Sequence, residues 1–100
     1  MAEAKQRCAI GRAYYSVLIR ARNLLRRNIT VPREKTHSFV IDRYLNGRSK
    51  TQQDIGDNLN QLRTYRTRAD YEDNLPQLGY FVALVLELAD DTAKCLRKLP

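Results

Sequence analysis

The chain has one histidine, two cysteines and four glycines, and each shortage excludes a class of function. His37, Cys8 and Cys95 are too few and too far apart in sequence to supply a standard zinc site. The glycines are scattered, so there is no glycine-rich loop for binding nucleotide phosphates. We therefore expect no metal and no cofactor. We expect the two cysteines to be reduced thiols. A disulfide between them is possible only if the first and last helices are neighbours.

Long hydrophobic runs are also missing. No apolar segment is long enough to cross a bilayer and no signal peptide is recognisable, so we expect a cytoplasmic protein without membrane association. Hydrophobic residues make up 43% of the chain, which argues against disorder. One hundred residues suit a single small domain, residues 1–100.

Acidic residues are scarce in the first half of the chain. Residues 1–50 carry 12 basic and 3 acidic side chains, whereas residues 51–100 carry 6 basic and 8 acidic ones. Thirteen of the basic residues are arginine, which binds phosphate in a bidentate manner better than lysine does. This imbalance allows two interpretations: a basic face that binds RNA or another polyanion, or two halves that complement each other within one chain or across a dimer.

Apolar residues recur at three- and four-residue steps in four segments, a pattern typical of helices with one buried face. We predict helices over about residues 2–28, 52–71 and 76–99, and a short helix that follows a cap at Thr36 or Ser38 and ends near Leu45. Because no segment alternates apolar and polar residues, the fold class predicted is all-α, an antiparallel bundle of about four helices. Gly56, early in the third helix, indicates close packing.

Local signals predict the helix ends. Thr36 or Ser38 suits the N-cap of the second helix, and Gly47 suits a left-handed residue that ends it. Thr51 suits the N-cap of the third helix. Pro76 suits the first turn of the last helix, where a missing backbone N–H costs nothing.

The polar side of the first helix carries arginines, and Tyr15 and Ile19 lie among them. One interpretation is a solvated charged face with two isolated apolar residues. The other is a second contact surface, for a twin subunit or for nucleic acid.

Arg66 interrupts the apolar stripe of the third helix, and Asp70 follows one turn later. A guanidinium directed at a core is costly unless it is paired or reaches water. Arg63 and Arg66 lie about 60° apart on a helical wheel with Asp70 between them, so one carboxylate could accept from both. Arg66 therefore has either a structural ion pair with a buried stem, or a guanidinium that Asp70 orients towards phosphate. The stripe consists of Ile55, Leu59, Leu62 and Ala69.

His37 lies near the predicted start of the second helix, beside Ser38. It is either a cap-region residue hydrogen-bonded to backbone or solvent, or a residue that contacts RNA or transfers a proton.

Three segments together resemble motifs of the HEPN superfamily of small helical domains. Residues 8–15, CAIGRAYY, are similar to its opening A-x-x-R-A-Y-Y motif. Residues 37–41, HSFVI, resemble its H-S-x-V-I segment. Residues 63–71 contain R-x-x-R-x-x-A-D-Y. The three matches occur in the expected order.

The resemblance implies a helical bundle that forms homodimers. Many relatives are metal-independent RNases of toxin–antitoxin or phage-defence systems, often encoded beside a nucleotidyltransferase partner. In active relatives an arginine and a following histidine lie near the dimer cleft and promote attack on RNA by its own 2′-hydroxyl.

Two features depart from that pattern. Tyr71 stands where the histidine is expected, and tyrosine, which ordinarily ionises near about pH 10, is a poor general base at neutral pH. Relatives also tend to carry a further helix before the first motif, whereas seven residues precede Cys8 here. We therefore expect a short or trimmed form of the domain.

Two functions remain open on this basis. The first is an RNA- or nucleotide-binding HEPN-like homodimer, with weak RNase activity as an extension. The second is a catalytically silent interaction module, in which Arg66 and Asp70 are structural and the strip of Tyr15 and Ile19 docks a partner. The candidate catalytic residues are Arg66, Asp70, Tyr71 and His37, and the candidate nucleic-acid-binding residues are Arg63, Arg66 and Arg12.

Overall fold

The computed structural model describes residues 2–100, and every regular element in this range is an α-helix. The helices are α1 (Ala2–Arg26), α2 (Thr36–Leu45), α3 (Lys50–Tyr71) and α4 (Leu78–Lys98). The predicted all-α bundle of four helices is therefore confirmed. None of the four helices is both long enough and apolar enough to cross a bilayer.

Helix α3 runs antiparallel to the helices around it. Near the end of α2, the Tyr44 hydroxyl donates to the carbonyl of Ala21, and near its start His37 contacts Tyr14, so α2 runs parallel to α1. Arg7, near the start of α1, binds carbonyls at the end of α3. The connection after α1 therefore returns along the bundle before α2 begins.

Helix α2 is held from one side. It packs on α3 and, over a shorter stretch, on α1, and within residues 2–100 it makes no close approach to α4. Helices α1, α3 and α4 all pack on one another. The hydrophobic core lies between them and includes the predicted faces of all four helices. Its most deeply buried side chains are Ile10, Tyr14, Val40, Ile41, Ile55, Leu59, Leu62 and Val85.

The two cysteines are free thiols, although α1 and α4 are neighbours. Arg20 and Ala93, near the ends of these two helices, line the same cavity, so α1 and α4 run parallel. Cys8 lies near the start of α1 and Cys95 near the end of α4. The two thiols are therefore roughly 20 Å apart along the helix axes, too far for a disulfide.

The ends of α2 and α3 differ from the sequence prediction. Ser49, not Thr51, caps α3: its hydroxyl accepts from the backbone N–H of Gln52, and the Gln52 side chain accepts from the backbone N–H of Ser49. This reciprocal capping box satisfies two backbone donors, which a cap at Thr51 would leave open. The predicted left-handed Gly47 is also wrong, because no glycine in residues 2–100 has a positive φ and α2 ends through Asn46 at φ −92°.

Helices α2 and α4 begin after left-handed residues. Lys35 has φ 54° and Gln77 has φ 58°, and neither helix has a side-chain N-cap hydrogen bond. The Thr36 hydroxyl donates backwards to the carbonyl of Pro32 instead of capping α2. Pro76 lies in the turn before α4, two residues ahead of the first helical residue, so its predicted position in the first turn is wrong.

The predicted close packing at Gly56 is confirmed. A Cβ atom at this position would lie 2.5 Å from the backbone nitrogen of Leu45. Glycine therefore lets the start of α3 pack directly on the backbone at the end of α2.

Candidate functional site

Three helices bring most of the predicted site residues into one place. Helix α1 supplies two tyrosines, α2 supplies the histidine and a serine, and α3 supplies two arginines and an aspartate. These side chains come from all three segments that carry the HEPN resemblance. We name them the arginine–histidine cluster, which consists of Tyr14, Tyr15, His37, Ser38, Arg63, Arg66 and Asp70.

Arg66 is tolerated in an apolar stripe because its charge is engaged at the surface. Its Nε lies 2.9 Å from Oδ2 of Asp70, and its guanidinium carbon lies 5.3 Å from the centre of the Tyr15 ring. The side chain is 27% exposed. The stem is therefore covered, while the guanidinium stacks on an aromatic ring and reaches water.

Arg63 is held by a different partner from the one predicted. Its Nη1 donates to the hydroxyl of Ser38 over 3.2 Å, and Asp70 pairs with Arg66 alone. Seven residues separate Arg63 from Asp70, about 10 Å along the helix axis, whereas Ser38 on α2 lies directly opposite. Ser38 therefore orients an arginine and does not cap its own helix.

His37 lies at the centre of the cluster. Its Nδ1 is 3.2 Å from the Tyr14 hydroxyl oxygen, and its ring meets the rings of Tyr14 and Tyr15 edge-on at 5.6 and 5.4 Å. Burial lowers the pKa of His37 below its usual 6.5, and the positive charges of Arg66 and Arg63 lower it further. The imidazole is therefore neutral at physiological pH.

Tyr14 determines which nitrogen of His37 carries the proton. Burial raises the pKa of Tyr14 to about 12, although the charge of Arg63 opposes the rise. The hydroxyl thus keeps its proton at neutral pH. Because it is buried and Nδ1 of His37 is its one hydrogen-bond partner among the described residues, we infer that it donates a hydrogen bond to Nδ1. The hydrogen of the neutral imidazole is then on Nε2. In this tautomer the outer nitrogen is a donor and has no lone pair to act as a base.

The cluster has an excess of positive charge. Arg66 is balanced by Asp70, but Arg63 forms no ion pair with any residue in the described range 2–100. A guanidinium bound to one neutral hydroxyl retains donors for a further acceptor. Arg63 and Arg66 can therefore each donate charge-assisted hydrogen bonds to an anion at this surface.

Two predicted site residues lie outside the cluster. Tyr71 is 77% exposed and lies about 140° around the helix from Arg66, so it faces away from it. Its hydroxyl makes no hydrogen bond to another described residue. Arg12 is exposed on α1, one turn before Tyr15 and on the same side of that helix, so it lies beside the cluster without being part of it.

Arg7 supports this region and was not identified from the sequence. Its Nη1 donates to the carbonyls of Ala69 and Glu72 over 2.7 and 2.6 Å, and its Nη2 donates to that of Asp73 over 3.2 Å. These carbonyls lie at the end of α3, where the last carbonyl groups of a helix have no N–H partner within the helix. No sequence signal indicates the contact, because the partners are backbone atoms more than sixty residues away.

The cluster lies at the surface, where Asp70 is exposed and most of the other members are partly exposed. None of its seven residues lines either of two cavities of about 610 and 390 Å³ farther along the bundle. A surface cluster of this kind is accessible to an extended ligand that crosses it. Within residues 2–100, no group of three histidine, cysteine, aspartate or glutamate residues is arranged to hold a metal ion.

Comparisons with protein-family models, with curated proteins and with solved structures find no match to this chain. Membership of the HEPN superfamily therefore remains a hypothesis based on the three motifs. Function has to be inferred from the chemistry of the cluster, because a helical bundle by itself serves many functions.

Proposed function

We propose that this chain is a HEPN-like RNA-binding protein whose arginine–histidine cluster contacts the phosphates of RNA. One observation carries the proposal. Three segments far apart in sequence meet at a patch where Arg63 has no carboxylate partner and Arg66, one turn later, is paired with Asp70. A positively charged, preoriented patch of this kind matches the charge and geometry of a phosphate group.

Each member of the cluster has a separate part in this proposal. Asp70 and the ring of Tyr15 fix the orientation of Arg66 and leave its Nη groups available to an anion. Ser38 fixes Arg63 in the same way. His37 contributes a neutral N–H donor, which binds phosphate oxygen without adding charge. Phosphate contacts position a nucleic acid without reading its sequence, so the proposal includes no sequence preference.

The charge of the whole chain favours a polyanionic ligand over a single small anion. The formal net charge is +7, and Arg12 adds an exposed positive charge beside the cluster. Association with RNA would release counterions and would weaken steeply as salt increases.

Binding is supported better than cleavage. Cleavage by the RNA 2′-hydroxyl needs a base near the scissile phosphate. Asp70 is engaged with Arg66, Tyr71 faces away, and the outer nitrogen of His37 carries a proton. Weak metal-independent RNase activity therefore remains a secondary part of the proposal. A homodimer, a nucleotidyltransferase partner and a toxin–antitoxin or defence role follow from the HEPN resemblance alone.

A catalytically silent interaction module is the second candidate. It is favoured by the side chain of Ile19, which is 42% exposed on α1 one turn after Tyr15. In this case the pair of Arg66 and Asp70 would only stabilise the junction of α1 and α3, and the strip would dock a partner or a second copy.

The chain offers a matched control for testing these candidates. Arg68 lies on α3 like Arg66, pairs with Glu72 four residues later over 3.2 Å, and covers the Phe81 ring at 5.0 Å. It differs in lying away from the cluster. Arg66→Ala and Arg68→Ala therefore remove the same kinds of interaction, but only Arg66→Ala alters the proposed site.

The experiment measures binding of a fluorescent single-stranded RNA by anisotropy at low and moderate salt. We expect Arg63→Ala and Arg66→Ala each to weaken binding roughly tenfold, the effect of a lost charge-assisted hydrogen bond, and Arg68→Ala to change it little. Absence of RNA binding by the unaltered chain at low salt would refute the proposal. A lower melting temperature or a broken dimer in Arg66→Ala, with RNA binding unchanged, would support the interaction module.

A further inference from the structure

A second basic region lies at the other end of the bundle, where α1, α2 and α4 end and α3 begins. It contains a cavity of about 610 Å³, within the range typical of small-molecule sites. A neighbouring cavity of about 390 Å³ shares Leu24, Arg27 and Leu99 with it. None of the residues of the arginine–histidine cluster lines either cavity, so this region is separate from the proposed RNA site.

The walls of both cavities carry positive charge only. No aspartate or glutamate lines them, and within residues 2–100 none of the lining arginines forms an ion pair with a carboxylate. Several unpaired guanidinium groups around a concave surface repel one another and favour an anion that binds between them. The lining arginines are Arg27, Arg43 and Arg48 in the larger cavity and Arg20, Arg27 and Arg97 in the smaller one.

The negative ends of the helix dipoles offset only part of this positive charge. Three helices end here, and each C-terminus is equivalent to roughly half a negative charge, about −1.5 together, while the start of α3 contributes roughly half a positive charge. The five arginines exceed this sum severalfold. They would still exceed it if a terminal carboxylate on Pro100, which lines the larger cavity, were added.

The larger cavity also has an apolar wall and neutral polar groups. Leu24, Leu25, Ile29 and Leu99 form the wall, and the Asn28 side chain lines the same space. A ligand that fills it must therefore combine an anionic group, for the arginines, with a flat or apolar group, for the leucines. Inorganic phosphate alone would leave the wall unused.

We propose that the larger cavity binds a phosphorylated small molecule that carries an aromatic or apolar group, of the nucleoside diphosphate class. Arg43 and Arg48 contact its phosphates from α2 and from the connection to α3. The leucine wall contacts its ring. An RNA strand suits this place less well, because the cavity is concave and walled by three chain segments.

The test uses the whole chain with ADP and with pyrophosphate as probes. Calorimetry measures affinity, and amide chemical shifts of ¹⁵N-labelled protein locate the site. We expect ADP to shift the amides of Asn46, Gly47 and Leu99 and to bind more tightly than pyrophosphate. Arg43→Ala combined with Arg48→Ala should weaken ADP binding by roughly tenfold or more, as expected when charge-assisted contacts are lost.

Two controls make the result specific. Arg22→Ala combined with Arg33→Ala removes two positive charges that line neither cavity, and it should leave ADP affinity within about twofold. Arg66→Ala should also leave it unchanged, because the inference does not rest on the proposed RNA site. Circular dichroism melts verify that all of these variants fold.

Several outcomes would overturn the inference. These are an absence of saturable ADP binding at millimolar concentration, shifts centred on Ser38 and Arg66, and equal loss of affinity in the two double variants. Equal affinity for ADP and pyrophosphate would overturn the role of the leucine wall, and with it the class of ligand.

Discussion

The hydroxyl of Tyr14 lies 3.2 Å from Nδ1 of His37, and this contact joins α1 to the start of α2. It also connects the first HEPN-like segment to the second. Because burial raises the pKa of Tyr14 to about 12, the tyrosine remains a donor throughout the physiological range. We therefore infer that the only histidine of the chain is held in one tautomer.

Replacing Tyr14 by phenylalanine should leave His37 free to adopt either neutral tautomer. We expect Tyr14→Phe to lower the free energy of unfolding by about 1 kcal/mol, the usual contribution of one hydrogen bond, and to give a mixture of His37 tautomers. Imidazole ¹⁵N shifts distinguish the two forms. Tyr44→Phe is the matched control, since it removes the buried hydrogen bond to Ala21 and should leave His37 unaffected. Unchanged imidazole shifts in Tyr14→Phe would contradict the assignment.

His37 should make the protein less stable in mild acid. Its pKa is lowered in the folded chain, first by burial and then by Arg66 and Arg63, so the unfolded chain binds the proton more readily. Stability is then fully present above about pH 6.5 and is lost as the pH falls towards the lower folded value. We expect the melting temperature to fall more between about pH 7.5 and 5 than it does in His37→Gln. Parallel profiles for the two proteins would contradict this.

The two arginines should affect the titration of His37 unequally. Arg66 lowers the pKa of His37 more than Arg63 does. We therefore expect Arg66→Ala to raise that pKa further than Arg63→Ala, with Arg68→Ala causing no change. A titration of the His37 ring protons by NMR measures all three. An equal effect of Arg68→Ala would mean that the shift does not come from the cluster.

Two glycine substitutions should have opposite effects on stability. Alanine favours a helix interior over glycine by about 1 kcal/mol. At Gly11 a Cβ would meet nothing within 4 Å, so Gly11→Ala should stabilise the protein by up to that amount. At Gly56 the Cβ would lie 2.5 Å from the backbone of Leu45, so Gly56→Ala should destabilise it by about 1–3 kcal/mol as the helices move apart. Chemical denaturation measures both, and a stabilised Gly56→Ala variant would contradict the packing.

Arg7 should determine the stability of the end of α3. Arg7→Ala removes donors from three backbone carbonyls, so we expect a loss of about 1–3 kcal/mol and faster amide exchange over the last turn of α3. Lys5→Ala, an exposed change on the same helix, serves as the control. Equal exchange in the two variants would show that the contact contributes little.

The helices and the core could be predicted because both follow from local periodicity. Residue spacing alone predicts the buried faces of α1 and α3. It also predicts the exceptional Arg66 and its pairing with Asp70. The helix ends were less predictable. Ser49 and Thr51 are both good capping residues, and only the position of Gln52 three residues after Ser49 distinguishes them.

The remaining site contacts depend on how the helices are arranged, so they could not be predicted from the sequence. Ser38 comes within reach of Arg63 only once α2 is packed on α3, whereas Asp70 lies about 10 Å farther along the axis of α3. The pairing of Tyr14 with His37 requires α2 to run parallel to α1, which depends on the path of the connection between them. No spacing rule indicates that path.

The one-sided attachment of α2 has a consequence for the site. With 10 residues, α2 is too short to persist as a helix by itself, so it exists only while it rests on α3 and α1. It carries both His37 and Ser38, so its departure would disassemble half of the patch and would also expose Val40 and Ile41 of the core. An anion bound between α2 and α3 would oppose that departure, and occupancy of the patch would then slow amide exchange throughout α2.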